Sequence, residues 1–258
     1  MAEAVSRQSI SGAVAWMTGA IVSLTAMALA GRELSAEITI FEIMFFRNAI
    51  CLAIVSVLVA YHGTALLRTR RPALHGFRNV AHFGAQYGWF YGLAYLPLAE
   101  VFAIEFTAPI WTAVLAALFL SERLGAVRVG GILLGFLGIL IILKPGVAII
   151  HPAAFSVLGA AFGFALTFVI TKSMVADERP LTILFYMNLI QLPLGLVPAL
   201  FFWVTPSVQL WPWVLVAGLA GLGSHYCFAR AFELADASIV APIDFARLPL
   251  VEIGRAHV

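Results

Sequence analysis

The sequence predicts an all-α polytopic membrane protein, and three observations carry that expectation. Eight apolar stretches between Gly12 and Leu234 are each long enough to cross a bilayer, and a ninth begins at Ser238. A helical crossing takes about 20 apolar residues. The 258 residues are 62% hydrophobic and 11% charged, with a mean hydropathy of +1.01, whereas soluble domains carry about 25% charged residues. The stretches also lack the alternation of a membrane barrel. An open sheet would strand backbone N–H and C=O groups in hydrocarbon, so helices remain.

Taken in order, the first stretch, Gly12–Ala30, is too long for a signal-peptide core and is followed by further spans, so it reads as a retained helix. Ile38–Tyr61 carries Glu42 and Arg47. Leu74–Leu96 carries His82 and Gln86, a small-residue stripe at Gly84, Gly88 and Gly92, and the aromatics Phe83, Tyr87, Trp89, Phe90 and Tyr91. Such a stripe lets a neighbouring helix approach closely; the aromatics either face lipid or wall a cavity. Leu98–Leu120 follows after Leu96-Pro97-Leu98, so these two helices are antiparallel neighbours, and it holds Glu105. Val127–Leu143 and Ala153–Lys172 carry packing glycines, Gly131 with Gly135 and Gly159 with Gly163. Leu181–Trp203 offers Asn188 and Gln191, Val214–Leu234 offers His225, and the run from Ser238 offers Asp244 and Arg247.

Basic residues orient the bundle. Arg7, Arg68, Arg70, Arg71, Arg78, Arg123, Arg128, Lys172, Arg179 and Arg230 fall on the side of the N-terminus, against Arg32 and Lys144 on the other. Basic loops face the cytoplasm, so the N-terminus is expected there, in a bacterial inner membrane. The net charge of +2 is thus a topology signal, and no nucleic-acid face is expected. Cys51 and Cys227 lie inside spans and read as packing residues.

The chain repeats itself weakly. Tyr91-Gly-Leu-Ala94-Tyr95 is echoed by Phe228-Ala-Arg-Ala231-Phe232. Glu105-Phe106 before Pro109 is echoed, one residue out of step, by Asp244-Phe245 before Pro249. A unit of five helices puts the third and eighth spans in equal positions, and an odd number inverts the second unit. Inverted repeats around a midplane site are common in secondary transporters.

Several segments resemble the drug/metabolite transporter superfamily, EamA type. They are Phe41-Glu-Ile-Met-Phe-Phe-Arg47-Asn48, Leu96-Pro-Leu-Ala-Glu100 running into Phe106-Thr-Ala-Pro109, Leu120-Ser-Glu122-Arg123-Leu124, Gly130-Gly131-Ile-Leu-Leu-Gly135-Phe-Leu-Gly138, and Ala237-Ser-Ile-Val-Ala-Pro242-Ile-Asp244-Phe245. The resemblance implies two inverted five-helix repeats, at 10–143 and 152–251, with ten helices in the complete protein and about eight and a half here. It implies transport of small organic metabolites. The closing Glu252–Val258, EIGRAHV, matches the translation of a common short-read sequencing adapter. The expectation is a non-native tail, with the natural chain continuing past Val251.

Charges in hydrocarbon are expensive and point to function or pairing. The expected substrate-binding residues are Arg47, His82, Gln86, Tyr91, Glu105, Asn188, His225 and Asp244. At about 1.5 Å per residue, Arg47 and Glu105 lie at similar depths, roughly 12–14 Å from the outer face, and a pair between them is feasible. His82 and Asp244 are level from the other side; Arg47 capping carbonyls and Asp244 pairing with Arg247 are the structural alternatives. No phosphate loop, HExxH or Cys/His spacing appears, so no enzyme, metal or cofactor is expected. Expected partners are a small-molecule metabolite and the lipid bilayer, with a coupling proton and a homodimer left open. A non-transporting membrane scaffold, or a subunit holding a lipid-linked substrate, is the alternative.

Overall fold

The computed structural model describes residues 9–122, 125, 126, 129, 130, 133, 134, 137 and 151–246. Over these it is helical, with no strand. The elements are α1 (Ile10–Ser35), α2 (Ile40–His62), α3 (Pro72–Tyr95), α4 (Leu98–Glu105), α5 (Ala108–Phe119), α6 (Ala153–Met174), α7 (Pro180–Ala199), α8 (Trp211–Leu234) and α9 (Ala237–Ile243). A 3₁₀ turn, Asp244–Ala246, follows α9. The fifth expected span and the tail Glu252–Val258 lie largely or wholly outside the described residues, as does Arg247.

Local chemistry sets the helix ends. The Ser9 hydroxyl accepts from Gly12 N to open α1. Thr39 and Glu42 form a reciprocal capping box at α2, satisfying two of the donors that a helix start leaves orphaned. Glu42 is therefore a structural cap: it is buried, and its second oxygen accepts from Val204 N at 2.6 Å. Pro72 and Pro180 begin α3 and α7, where a missing N–H costs nothing.

The fourth expected span is not one helix. Pro109 has no N–H to give the Glu105 carbonyl, so the ladder breaks there, and α4 ends at Glu105 before α5 restarts at Ala108. α9 ends at Ile243, just past Pro242, where the 3₁₀ turn begins.

The segments Ile10–Ser35, Ile40–His62, Leu98–Phe119, Ala153–Met174 and Pro180–Ala199 are long and apolar enough to cross a membrane. α3 and α8 are long enough, at 24 residues each, but less apolar. Their inward faces hold polar side chains, His75, Asn79, His82 and Gln86 in α3 and Ser224 in α8. The protein is thus an all-α, multi-pass membrane protein.

Packing follows a regular scheme: α1 lies along α8, α3 along α6, and α2 along α7. Exchanging the chain's two halves turns the first pair into the second and leaves the third unchanged. Close approach rests on glycine, as lipid gives helices no hydrophobic drive to associate. A Cβ on Gly163 would stand 2.8 Å from the Ala85 Cβ between α6 and α3, and one on Gly195 would stand 3.0 Å from Phe45 N between α7 and α2. Gly84 and Gly159 have nothing within 4 Å, so the expected stripes at 84/88/92 and 159/163 are used only in part.

The two ends of the bundle are tied alike. At one end Arg32, closing α1, donates to the Leu96 carbonyl at the end of α3. At the other, Lys172, closing α6, donates to the Phe232 and Ala235 carbonyls at the end of α8, at 2.7 and 2.8 Å. Glu37, between α1 and α2, accepts from Ser207 N and Oγ. Glu178, between α6 and α7, accepts from Thr69 Oγ1 and pairs with His75 Nε2 at 2.6 Å.

Candidate functional site

The buried polar residues of α3 are His75, Arg78, Asn79, His82 and Gln86. Trp89 Nε1 continues the same stripe. The spacing of three and four residues puts them on one helical face, which runs inward for about 21 Å, most of a 30 Å hydrocarbon core. Lipid would not tolerate that face, so it turns into the bundle.

There it borders a small internal cavity of about 40 Å³. Leu24 and Met27 of α1, His82, Gln86 and Trp89 of α3, and Glu105, Ala108 and Pro109 at the α4–α5 break line one part. Phe164 and Phe168 of α6, His225 and Phe228 of α8, and Ala241 and Asp244 at the end of α9 line the rest. At about 10–15 Å³ per water centre this space admits two or three waters. A metabolite-sized pocket is about 300–1,000 Å³, so the site is contracted in this conformation.

Both carboxylates sit at the ends of short helices. Glu105 is the last residue of α4, and Asp244 is the first after α9. α4 and α9 enter from opposite ends of the bundle, and each carboxylate lies seven residues along, about 10 Å in. Glu105 Oε2 accepts from Trp89 Nε1 at 2.8 Å. The imidazoles of His82 and His225 meet edge to face with centroids 4.7 Å apart. His82 Nδ1 lies 2.9 Å from Gln191 Nε2; the amide can only donate, so that ring nitrogen accepts. His225 Nε2 is buried with no hydrogen-bond partner among the described residues.

A second polar layer stands behind Gln86. Arg47 is fully buried in α2. Its Nη2 donates to Gln86 Oε1 at 2.6 Å, Asn48 Oδ1 at 3.1 Å and Gln191 Oε1 at 3.3 Å. The Arg47–Glu105 pair that equal depth made feasible is not formed: Arg47 donates to amide oxygens and Glu105 accepts from Trp89. Arg78 donates to Thr171 Oγ1 and Asn79 Oδ1, both at 2.8 Å.

Of the residues anticipated from the sequence, His82, Gln86, Glu105, His225 and Asp244 line the cavity, and Arg47 reaches it through Gln86. Tyr91 does not; half-buried, it stacks on Tyr87 and tilts against Tyr95. Asn188 is buried in α7, where Nδ2 donates to its own helix at Leu184 O. Of the aromatics in the third span, only Trp89 lines the cavity. Arg78 and Asn79 were missed. The signal that finds them is the polar periodicity 75, 78/79, 82, 86 inside an apolar span.

Comparison with known proteins supplies the family context. The EamA-like transporter family model matches residues 11–144 and 151–251. An S-adenosylmethionine uptake transporter of Rickettsia bellii is 28% identical over 241 residues, covering 93% of this chain and 83% of the relative. A riboflavin transporter of Vibrio cholerae is 34% identical over 187 residues, covering 71% of this chain and 62% of the relative. A pseudopaline exporter of Pseudomonas aeruginosa is 31% identical over 216 residues, covering 81% and 74%. A solved crystal structure aligns with a TM-score of 0.77 over 95% of this chain and 88% of its own, at 20% identity, and shares the fold.

Proposed function

We propose that this chain, which belongs to the EamA-like transporter family, is a secondary transporter that moves a small organic metabolite across the membrane by alternating access. The observation that carries the reading is the pair of carboxylates. Glu105 and Asp244 each stand at the end of a short helix, the helices enter from opposite ends, and both face one cavity. Broken helices meeting at mid-membrane around a binding site are the usual architecture of such transporters.

The paired ties at the two ends support an inverted repeat. Arg32 does at one end what Lys172 does at the other, and Glu37 matches Glu178. With both ends tied, the cavity is cut down to water size. Breaking one set of ties while keeping the other opens the site to one side only. Phe164, Phe168, Phe228 and Trp89 beside two carboxylates suit a flat solute with polar ends. The names of the relatives, with S-adenosylmethionine and riboflavin among their solutes, agree with that description. The basic end, holding Arg68, Arg70, Arg71 and Arg179, is the cytoplasmic one on the positive-inside rule, in a bacterial inner membrane. His82 and His225 beside Glu105 are groups able to carry a coupling proton.

The test is reconstitution of the full-length protein in proteoliposomes, with flux of labelled S-adenosylmethionine and riboflavin followed against empty liposomes. Saturable movement of one of them is expected, falling at least tenfold in Glu105→Gln and Asp244→Asn. Flux unchanged in both variants would remove the carboxylates from the site; no flux of either solute would count against transport.

A further inference from the structure

Among the described residues, Arg47 is the charged side chain with the most unpartnered buried nitrogens. It is completely buried near the middle of the bundle. Among the described residues it forms no ion pair. Its Nε and Nη1 have no hydrogen-bond partner, while three amide oxygens crowd onto Nη2, which has only two hydrogens. Arg78 is a contrast: its Nε and Nη1 each donate to a separate oxygen, Thr171 Oγ1 and Asn79 Oδ1. A buried guanidinium that served only to hold helices together would have its N–H groups satisfied, because an unmet one costs more inside than in water.

Gly221 of α8 packs directly on the Arg47 side chain: a Cβ there would stand 3.3 Å from Nη1 and 3.0 Å from Cδ, so the glycine is what admits the arginine against α8. Between Arg47 and the cavity stands one flexible side chain, Gln86, which touches both. A planar oxyanion that displaced the Gln86 amide would find a guanidinium with unused donors, the geometry that arginine offers carboxylates.

We propose that Arg47 is the carboxylate seat of the transport site, so that this protein selects metabolites carrying a free carboxylate. In the contracted state Gln86 and Gln191 stand in for that carboxylate with their amide oxygens. When the site opens, the carboxylate takes their place on Arg47, and the remainder of the solute lies among Trp89, Phe164, Phe168 and Phe228. The assignment rests on the transport reading above and adds the substrate's chemical class.

The experiment uses the full-length protein in proteoliposomes with three probes: S-adenosylmethionine, its decarboxylated counterpart and carboxylate-free riboflavin. Flux and ligand-induced thermal stabilisation are both recorded. The expected result is at least a tenfold preference for S-adenosylmethionine over the decarboxylated form, a difference of about 1.4 kcal/mol, collapsing to near unity in Arg47→Gln. Gln86→Glu is the second variant. It supplies Arg47 with an internal carboxylate, so it keeps or raises the melting temperature while losing the same preference. A preference that survives in both variants overturns the assignment. Flux of riboflavin alone overturns it too but leaves the transport reading standing, whereas failure of all three probes removes both.

Discussion

The contact between α3 and α6 makes a quantitative prediction from two glycines one turn apart on α6. Gly163→Ala puts a methyl 2.8 Å from the Ala85 Cβ. Carbon atoms in contact sit about 3.5–4.0 Å apart, so the helices must part by roughly 0.7–1.2 Å along a face where both backbones are close. Overpacking of this kind costs about 1–3 kcal/mol. Gly159→Ala is the control: nothing lies within 4 Å of its Cβ, and alanine gains up to about 1 kcal/mol of helix propensity over glycine. The swap Gly163→Ala with Ala85→Gly removes the offending methyl, leaving the Ala85 Cα at 3.6 Å, and balances propensity between the helices. Thermal unfolding in detergent should therefore rank Gly159→Ala at or above wild type, Gly163→Ala several degrees below it, and the swap near wild type. The two sites are in contact, so a coupling of about 1–3 kcal/mol is expected in the double-mutant cycle. If Gly163→Ala were as stable as Gly159→Ala, or the swap no better than Gly163→Ala alone, the α3–α6 packing described here would be wrong.

Other consequences follow from the ties between helices. Arg32→Ala and Lys172→Ala each remove hydrogen bonds to helix-end carbonyls and should cost about 1 kcal/mol; because they lie at opposite ends, the double variant should show the sum, and a strongly non-additive loss would contradict their independence. Glu122→Gln weakens a carboxylate that accepts from Ala237 N at 2.9 Å and Ser238 N at 3.0 Å, the orphan donors that open α9. A loss of about 1–2 kcal/mol is expected, read as a lower melting temperature; no change would show that α9 is held otherwise. For orientation, single cysteines at Arg70 and Val208 are introduced after Cys51 and Cys227 are replaced. An impermeant thiol reagent on intact cells should label Val208→Cys and reach Arg70→Cys only after lysis; the reverse pattern would invert the topology.

The sequence alone determined the class of molecule and much of its helix order. Apolar length is a one-dimensional property: a run such as Ile40–His62 must cross or hide whatever its neighbours do. The isolated polar residues within such runs were legible for the same reason, since Arg47, His82, Glu105, His225 and Asp244 stand out against hydrocarbon without any fold in view. Pairing was not legible. Arg47 and Glu105 share a depth, yet depth says nothing of rotation about a helix axis, and rotation turned Arg47 to Gln86 and Glu105 to Trp89. Tyr91 shows the same limit, lying two residues along from Trp89 and facing away from the cavity. Arg78 looked like a boundary residue because position along the chain suggested the basic end, whereas the fold buries it against Thr171 of another helix. The break after Glu105 was written in Pro109, but that it places Glu105 opposite Asp244 required two helices from different halves of the chain to meet. Hydrophobicity sums along one segment, whereas a site is built from angles between several, and those are set only when the helices pack.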